Sequence, residues 1–234
     1  GYFARVMYDY ENKYFFSASY RRDASSRFHP DHRWGNFWSL GGAWIISKEN
    51  FMESTYEWLD NLKLKASIGS QGNDNIGNFR YTNTYTIENA NGKVSTVFNA
   101  KGSENITWET NSNFNAGVEF SFLRGTVSGG VEYFLRKTTD MLMLVPESYG
   151  VTGEGQYWDN IGAMVNRGVE INVNGDVFRT KNFVWNLNAN VSYNRNKLTE
   201  LYGGVTEYVN STTGLKYQVG HEVGEYFFNR FAGV

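Results

Sequence analysis

The sequence predicts an all-β fold, as part of a large antiparallel transmembrane β-barrel, and three observations support that prediction. Apolar residues recur at every second position over many stretches of the 234-residue chain. The segments between those stretches alternate between short and long. Aromatic residues make up 17% of the chain, although its mean hydropathy is only -0.51. Such a composition suits rings placed at a boundary between an apolar and a polar medium.

The clearest stretch is a hairpin that runs from Phe114 to Asp140. Side chains of a strand point to alternate faces, so an apolar residue at every second position indicates one apolar and one polar face. Residues 123–125 separate the two halves of the hairpin, and the same alternation recurs over 61–69, 168–178 and 183–194. Less regular alternation of apolar and polar residues begins at Tyr14 and at Trp38. In total we expect about eight full strands and the start of a ninth.

The connections between the predicted strands fall into two sets. The short ones are 11–12, 123–125 and 179–182, together with 48–60, which we interpret as a turn that carries a helical stub. The long ones are 25–33, 73–105, 141–165 and 201–225. Short periplasmic turns and long extracellular loops are typical of outer-membrane barrels. A Greek-key sandwich is not expected to sort its loops in this way.

Aromatic residues gather beside the short turns, and the strand length fits a membrane. The rings flank the turns at 11–12, 123–125 and 179–182, which predicts a girdle at one membrane interface; the alternative is the high strand propensity of aromatic residues. Residues 114–122 span roughly 30 Å as a strand. Tilted by about 45°, such a strand covers roughly 21 Å of height, close to the apolar band of about 25 Å in a barrel.

Charge and composition argue against several kinds of partner and site. A net charge of -2 and a pI of about 6.0 give no reason to expect a nucleic-acid partner. The chain has no cysteine, so disulfides and thiolate metal sites are excluded. The stretches 29–32 and 72–78 contain metal-ligand residue types, but a solvated loop and Asn/Asp/Gly turn chemistry explain them better. No nucleophile set stands out, so we expect neither an enzyme nor a cofactor.

Several segments in order resemble one known family. They are YRRDASSRF (20–28), RWGNFWSLGGAWIIS (33–47), WLDNLKLKASIGSQGNDNIGN (58–78), the stretch 106–143, NIGAMVNRGVEINVN (160–174), FVWNLNANVSYNRNKLTEL (183–201) and VGHEVGEYFFNRFAGV (219–234). Together they are similar to the barrel of SusC/RagA-like TonB-linked outer-membrane transporters of the Bacteroidota. Trp38 departs from the family, in which proline is common at that position. The resemblance covers essentially the whole chain.

The resemblance implies an outer-membrane barrel of 22 strands with a plug domain. It also implies a SusD-like surface lipoprotein as partner, the TonB complex as energy source, and glycans or oligopeptides as substrates. Residues 1–234 would then be a fragment of the barrel domain, with the plug domain and the C-terminal strands absent. On this interpretation the chain supplies scaffold and lumen wall, in contact with outer-membrane lipid.

The best candidate for substrate contact is the loop 146–160. Tyr149, Tyr157 and Trp158 could offer flat faces to sugar rings, and Asp159 and Asn160 could bond to hydroxyl groups. The alternative is that these residues pack the loop against a neighbouring loop or the plug. The tyrosines at 202, 208 and 217 are weaker candidates, for substrate or for the lipoprotein.

The sequence is also compatible with two other functions. One is a siderophore-type receptor or a passive porin with the same architecture. The other is a soluble all-β carbohydrate-binding or adhesin domain, whose apolar faces would pack a core. The asymmetry between short and long connections argues against the soluble domain.

Overall fold

The fold was analysed in a computed structural model, which describes residues 1–90, 92–147, 155–210 and 214–227. Fifteen strands are numbered here in chain order. They are β1 (Tyr2–Tyr10), β2 (Tyr14–Ala24), β3 (Trp34–Ile45), β4 (Leu59–Asn73), β5 (Thr84–Ala90), β6 (Lys93–Ala100), β7 (Glu109–Phe122), β8 (Val127–Thr139), β9 (Leu142–Pro146), β10 (Gln156–Asn160), β11 (Ala163–Arg179), β12 (Val184–Glu200), β13 (Glu207–Asn210), β14 (Leu215–Gln218) and β15 (Glu225–Tyr226). Among the described residues, no helix is long and apolar enough to span a membrane.

Eight long strands form one antiparallel sheet in the order β1-β2-β3-β4-β7-β8-β11-β12. Each long strand pairs with the next long strand in the chain, so the sheet is an up-and-down meander with β1 and β12 at its edges. The predicted all-β class, antiparallel pairing and strand count are confirmed. Where a ninth strand was expected, Gly220 and His221 exchange backbone hydrogen bonds with Leu198 of β12, at 2.7 and 2.8 Å.

Several strands are longer than the apolar alternation predicted. Strand β7 has 14 residues, and β11 and β12 have 17 each. The extra residues are mostly polar, as in the asparagine-rich end of β12 around residues 194–196. An apolar band sets only the length that needs apolar side chains, and hydrogen bonding can carry the ladder further into water.

Short turns join the long strands at one end of the sheet, as predicted. Glu11 and Asn12 have φ of 54° and 52°, and Leu123, Arg124 and Gly125 have φ of 55°, 59° and 79°. Positive φ is what tight hairpin connections require, and glycine meets that requirement without steric cost. The predicted helical stub consists of two 3₁₀ helices at Ile46–Lys48 and Asn50–Thr55.

The other end of the sheet carries the long connections, and three small sheets form within them. Strands β5 and β6 pair as a hairpin between β4 and β7, and β9 pairs with β10 between β8 and β11. Strands β13, β14 and β15 form a three-stranded sheet after β12. The predicted alternation of short and long connections is therefore present.

The strand register separates an apolar face from a polar face. In one row across four strands, Val118, Val131, Ile171 and Val191 lie side by side. The next row is Glu119, Gly130, Asn172 and Asn190. Although they are apolar, Val131, Ile171 and Val191 are 40%, 40% and 64% exposed. Within the described residues, this apolar face is not covered by other parts of the chain.

Aromatic rings line the apolar face beside the short turns. Tyr14 lies 6.2 Å from Trp44 between ring centroids, and Trp58 stacks on Phe122 at 5.8 Å. Glu49, in the turn between β3 and β4, accepts hydrogen bonds from Tyr14 Oη at 2.5 Å and Trp44 Nε1 at 3.0 Å. These bonds, that from Tyr14 first, lower the pKa of Glu49 below its usual value. The ring clustering predicted at the turn end is present.

Candidate functional site

The long connections between β2 and β3, β4 and β7, and β8 and β11 pack together into what we call the loop cluster. Its core consists of Phe28, Ile76 and Ile106, which are 0%, 5% and 0% exposed. The side chains of Tyr81, Trp108, Leu142 and Trp158 pack against this core. Phe28 comes from the β2–β3 connection, and Ile76 and Ile106 both come from the β4–β7 connection. Their burial removes apolar surface from water, which stabilises the cluster.

Asp74 joins two of these connections. Its carboxylate accepts a hydrogen bond from Ser25 Oγ at 2.7 Å and forms an ion pair with Arg27 Nη1 at 3.4 Å. Arg27 Nη1 also donates to the backbone carbonyl of Asp74 at 2.8 Å. Through Asp74, the stretch 72–78 therefore holds the β2–β3 connection in place. Among the described residues, no group of three or more His, Cys, Asp or Glu side chains is placed to hold a metal ion.

Two glycines admit aromatic rings at the base of the loop cluster. A Cβ on Gly72 would lie 2.1 Å from Cζ of Phe37, and a Cβ on Gly35 would lie 2.4 Å from the same atom. The Phe37 ring also contacts Trp108 edge to face, with centroids 5.3 Å apart. Trp108 Nε1 donates to the carbonyl of Arg33 at 2.9 Å, which ties the start of β7 to the start of β3.

The hairpin of β9 and β10 carries four of the five predicted contact residues. Trp158 packs against the core of the loop cluster, and Asp159 accepts a hydrogen bond from Ser103 Oγ at 2.8 Å. Asn160 Oδ1 accepts from the backbone N of Thr107 at 2.6 Å. Its Nδ2 donates to the carbonyls of Thr107 and Asp140, at 2.9 and 2.8 Å. Asn160 therefore joins the β4–β7 connection to both ends of the β8–β11 connection.

Tyr157 has a different environment from its neighbours on β10. Lys101 Nζ lies 4.1 Å from the centroid of the Tyr157 ring, and the same ammonium group forms an ion pair with Glu147 at 2.6 Å. The hydrogen bond to Glu147 raises the pKa of Lys101 above its ordinary value. The Tyr157 ring is half-buried, so part of it stays open to solvent. Tyr149, the fifth predicted residue, lies outside the described residues.

Sequence reasoning missed the partners that hold the hairpin in place. Lys101, Ser103 and Thr107 all come from the segment between β6 and β7, far from β10 in the chain. A signal for the packing was nevertheless present. Phe28, Ile76 and Ile106 are isolated apolar residues in polar stretches, and such residues are commonly buried when a long loop is ordered.

A second aromatic group lies beyond the end of β12. Tyr208 stacks on Tyr217 with centroids 4.9 Å apart, and Tyr202 meets Tyr208 edge to face at 5.7 Å. Burial raises the pKa of Tyr208, and the two neighbouring tyrosines add to the effect. The weaker candidate residues at 202, 208 and 217 thus form one contact group, separate from the β9–β10 hairpin.

The polar face of the sheet is hydrated and internally paired. Lys63 and Lys65 form ion pairs with Glu119 at 3.2 and 3.0 Å, and Lys65 also pairs with Glu132 at 2.7 Å. Asparagines of β11 and β12 continue the polar lining, with Asn172 opposite Asn190 and Asn174 opposite Asn188. Such a face can border water or another polar protein surface, and it is unsuited to lipid.

The family model for TonB-dependent receptor-like β-barrels matches residues 1–233. The TonB-dependent receptor SusC of Bacteroides thetaiotaomicron is 38% identical over 211 residues, which cover 87% of this chain and 21% of that receptor. The TonB-dependent receptor P39 of Formosa agariphila is 36% identical over 203 residues, covering 85% of this chain and 19% of that receptor.

Solved structures of transporters also match the chain. The RagAB peptide importer in its closed-closed state matches with a TM-score of 0.88 and 32% sequence identity, over 94% of this chain and 24% of that chain. The open-open state of the same importer matches with a TM-score of 0.86. The chain therefore spans about a fifth to a quarter of the length of these relatives.

Proposed function

Because the chain belongs to the family of TonB-dependent receptor β-barrels, we propose that it forms part of the barrel wall of a nutrient importer in a bacterial outer membrane. The observation that carries the proposal is the division of the sheet into two faces. Ile171 and Val191 are exposed on the apolar face, while Asn172 and Asn190 occupy the next row on the polar face. A wall with lipid on one side and a hydrated lumen on the other needs this division.

The partners and the substrate class are proposed from the relatives. RagAB is a peptide importer, which supports an oligopeptide as substrate. A glycan as the other substrate class and a SusD-like surface lipoprotein as partner are proposed from the resemblance to SusC/RagA-like transporters. We also propose the TonB complex as the energy source, because the chain belongs to a family of TonB-dependent receptors. A siderophore-type receptor or a passive porin remains the alternative, and we assign no catalytic role.

We propose the loop 146–160 as the substrate-contacting element, with Tyr149, Tyr157, Trp158, Asp159 and Asn160 as its contact residues. The bonds of Asp159 and Asn160 within the loop cluster support an additional positioning part for those two residues. Tyr157 is best suited to contact, because its ring is partly open and Lys101 lies against it. An aromatic ring can stack on a sugar or on a peptide side chain.

Localisation is tested by fractionation of the full-length protein. We expect recovery in the outer membrane and, after detergent extraction, a gel migration that changes on heating, because a closed barrel resists unfolding by detergent in the cold. Recovery in the soluble fraction with no heat-dependent shift would contradict the proposed membrane location.

Substrate contact is tested by uptake in cells that lack the native receptor and carry one variant. Tyr157→Ala should reduce uptake of labelled oligosaccharide or oligopeptide about tenfold, which corresponds to roughly 1.4 kcal/mol of lost binding. Tyr85→Ala is the matched control, because Tyr85 is a 60% exposed tyrosine on the β5–β6 hairpin. Equal uptake by the two variants would remove Tyr157 from the contact set. The substrate that supports uptake identifies the class.

A further inference from the structure

Four basic residues gather on the apolar face at the end that carries the long loops. Arg167 of β11 lies directly opposite Arg195 of β12, and Val165 lies between Lys137 of β8 and Lys197 of β12. All four basic side chains are exposed. We call Lys137, Arg167, Arg195 and Lys197 the basic patch.

The like charges of the basic patch destabilise the sheet unless an anion neutralises them. Directly opposed residues of antiparallel strands have Cβ atoms about 4.5–5.5 Å apart, and like charges at that distance are destabilising. Within the part of the chain that the structure describes, none of the four makes an ion pair or a side-chain hydrogen bond. The lysines of the polar face differ, since Lys63 and Lys65 are both paired with carboxylates.

Two nearby carboxylates do not neutralise the patch. Glu200 lies opposite Ala163, and Glu222 lies beside the end of β12, since His221 and Val223 on either side of it bond to Leu198 and Asn196. Among the contacts of the described residues, neither carboxylate makes an ion pair with Arg167, Arg195 or the two lysines. The missing partner is therefore an anion from outside the described part of the chain.

The position of the patch indicates the kind of anion. The row below the two arginines on the apolar face contains Tyr133, Val169 and Tyr193, and the next row contains Val131, Ile171 and Val191. Rows on one face are two residues apart, so the arginines lie roughly 7 Å above the tyrosines. Tyrosine rings mark the headgroup boundary of a membrane. The four cations therefore lie at the level of lipid headgroups, above an apolar surface suited to acyl chains.

We propose that the basic patch binds the phosphate headgroup of an outer-leaflet lipid, with the two arginines and two lysines as its ligands. The patch spans three strands, which is about 10 Å, and this is wide enough for a headgroup that carries two phosphates. Guanidinium groups suit phosphate because they donate paired hydrogen bonds. The inference rests on the proposed membrane location and adds a lipid ligand to it.

The test uses the full-length receptor, purified in neutral detergent and stripped of lipid, after its outer-membrane recovery has been established for the parent. Lipid A is titrated while the thermal unfolding midpoint is followed, and inorganic phosphate is titrated in parallel. We expect lipid A to raise the midpoint of the parent and inorganic phosphate to leave it unchanged. Raised midpoints with both would reassign the site to free phosphate and overturn the lipid proposal.

The decisive variant is Arg167→Gln/Arg195→Gln. Each cation near an anionic lipid surface is worth about 1 kcal/mol, or roughly fivefold in affinity, so the pair should weaken lipid A binding about 25-fold. The matched control is Lys93→Gln/Lys181→Gln, which removes two exposed cations elsewhere and should bind lipid A like the parent. Unchanged affinity in the arginine variant would overturn the proposal.

A single substitution keeps the test valid if the double variant does not assemble. Without lipid, Arg195→Gln should raise the unfolding midpoint, since it removes a like charge opposite Arg167. With lipid A, it should lower the midpoint relative to the parent. A lower midpoint in both conditions would mean that a carboxylate elsewhere in the receptor already neutralises the patch. That result would overturn the proposal without affecting the membrane location, which is read independently on the parent.

Discussion

Apolar residues are largely exposed on one face of the eight-stranded sheet, whereas they form a buried core in the loop cluster at its end. In the sheet, Leu187 and Val191 of β12 are 54% and 64% exposed. In the loop cluster, Phe28 and Ile106 are fully buried, although they come from connections with little regular structure. A soluble protein would show the reverse, with buried strands and exposed loops.

The proposed membrane location explains this difference through the medium around each region. The loop cluster lies where water is expected, so its apolar residues must find one another to leave water. The apolar face of the sheet needs no protein partner if lipid covers it, because hydrocarbon is as apolar as the side chains. Exposure within the protein therefore reports the surrounding medium. The predictions below test this explanation, in order of decreasing expected effect.

The largest effect is expected in the core of the loop cluster. Phe28→Ala should cost about 3–5 kcal/mol of local stability, because it leaves a cavity at a fully buried site. Hydrogen exchange of residues 25–33 and 74–82 in the full-length receptor measures the loss. Phe79→Ala is the control, since Phe79 is 63% exposed in the same cluster, and it should change stability by less than about 0.5 kcal/mol. Equal losses would mean that the cluster has no core of its own.

The next effect distinguishes the two faces of the sheet with neighbouring residues. Ile171→Arg should destabilise the receptor by about 2–4 kcal/mol, because a charge on the lipid side of a barrel is costly near mid-membrane. Asn172→Arg places the same side chain on the polar face and should have little effect. Unfolding in lipid vesicles, followed by heat-dependent gel migration, measures both. If the two variants behave alike, lipid does not cover the apolar face.

A smaller effect is expected where side chains join the loops. Asn160→Ala removes the bonds to Thr107 and Asp140 and should cost about 1–3 kcal/mol, since their backbone groups lose a partner. The control is Asn99→Ala, which removes one exposed bond to Thr84. Faster amide exchange at residues 105–108 in the Asn160 variant alone is the expected result. Unchanged exchange there would show that the Asn160 bonds are dispensable.

The smallest effect concerns Lys101, which should contribute about 0.5–1 kcal/mol through Glu147 and the Tyr157 ring. Because the folded-state pKa lies above the ordinary value of 10.5, this stability is present below that value and is lost as the pH rises through the folded-state pKa. The difference in unfolding midpoint between the parent and Lys101→Met should therefore be constant at neutral pH and disappear only in strong alkali. A difference that changes between pH 6 and 8, as on titration of an ordinary His (pKa about 6.5), would contradict this assignment.

Much of the sheet could be predicted from the residues alone, because strand patterning is local. The alternation from Phe114 to Phe122 sets which side chains share a face, whatever the neighbouring strands are. The turns at 11–12 and 123–125 were also found, since both break the alternation over only a few residues. Strand ends were predicted less well, because the polar ends of β11 and β12 carry no apolar signal.

The candidate site was predicted only in part. The β9–β10 hairpin drew attention through its aromatic residues, and Trp158, Asp159 and Asn160 each contact another part of the loop cluster. Their partners were not found, because Ser103 and Thr107 are more than fifty residues away in the chain. Nothing in a local pattern of a single sequence indicates which distant loop will supply a hydrogen-bond partner.

The sequence by itself determined the class of the fold, the two faces of the sheet and the sorting of short turns from long loops. These features depend on side-chain period and turn chemistry, which act over a few residues. Only the tertiary structure decided that Phe28, Ile76 and Ile106 share one core and that Asn160 joins the β4–β7 and β8–β11 connections. It also decided that Arg167 lies opposite Arg195, because strand register brings together residues that are distant in the chain.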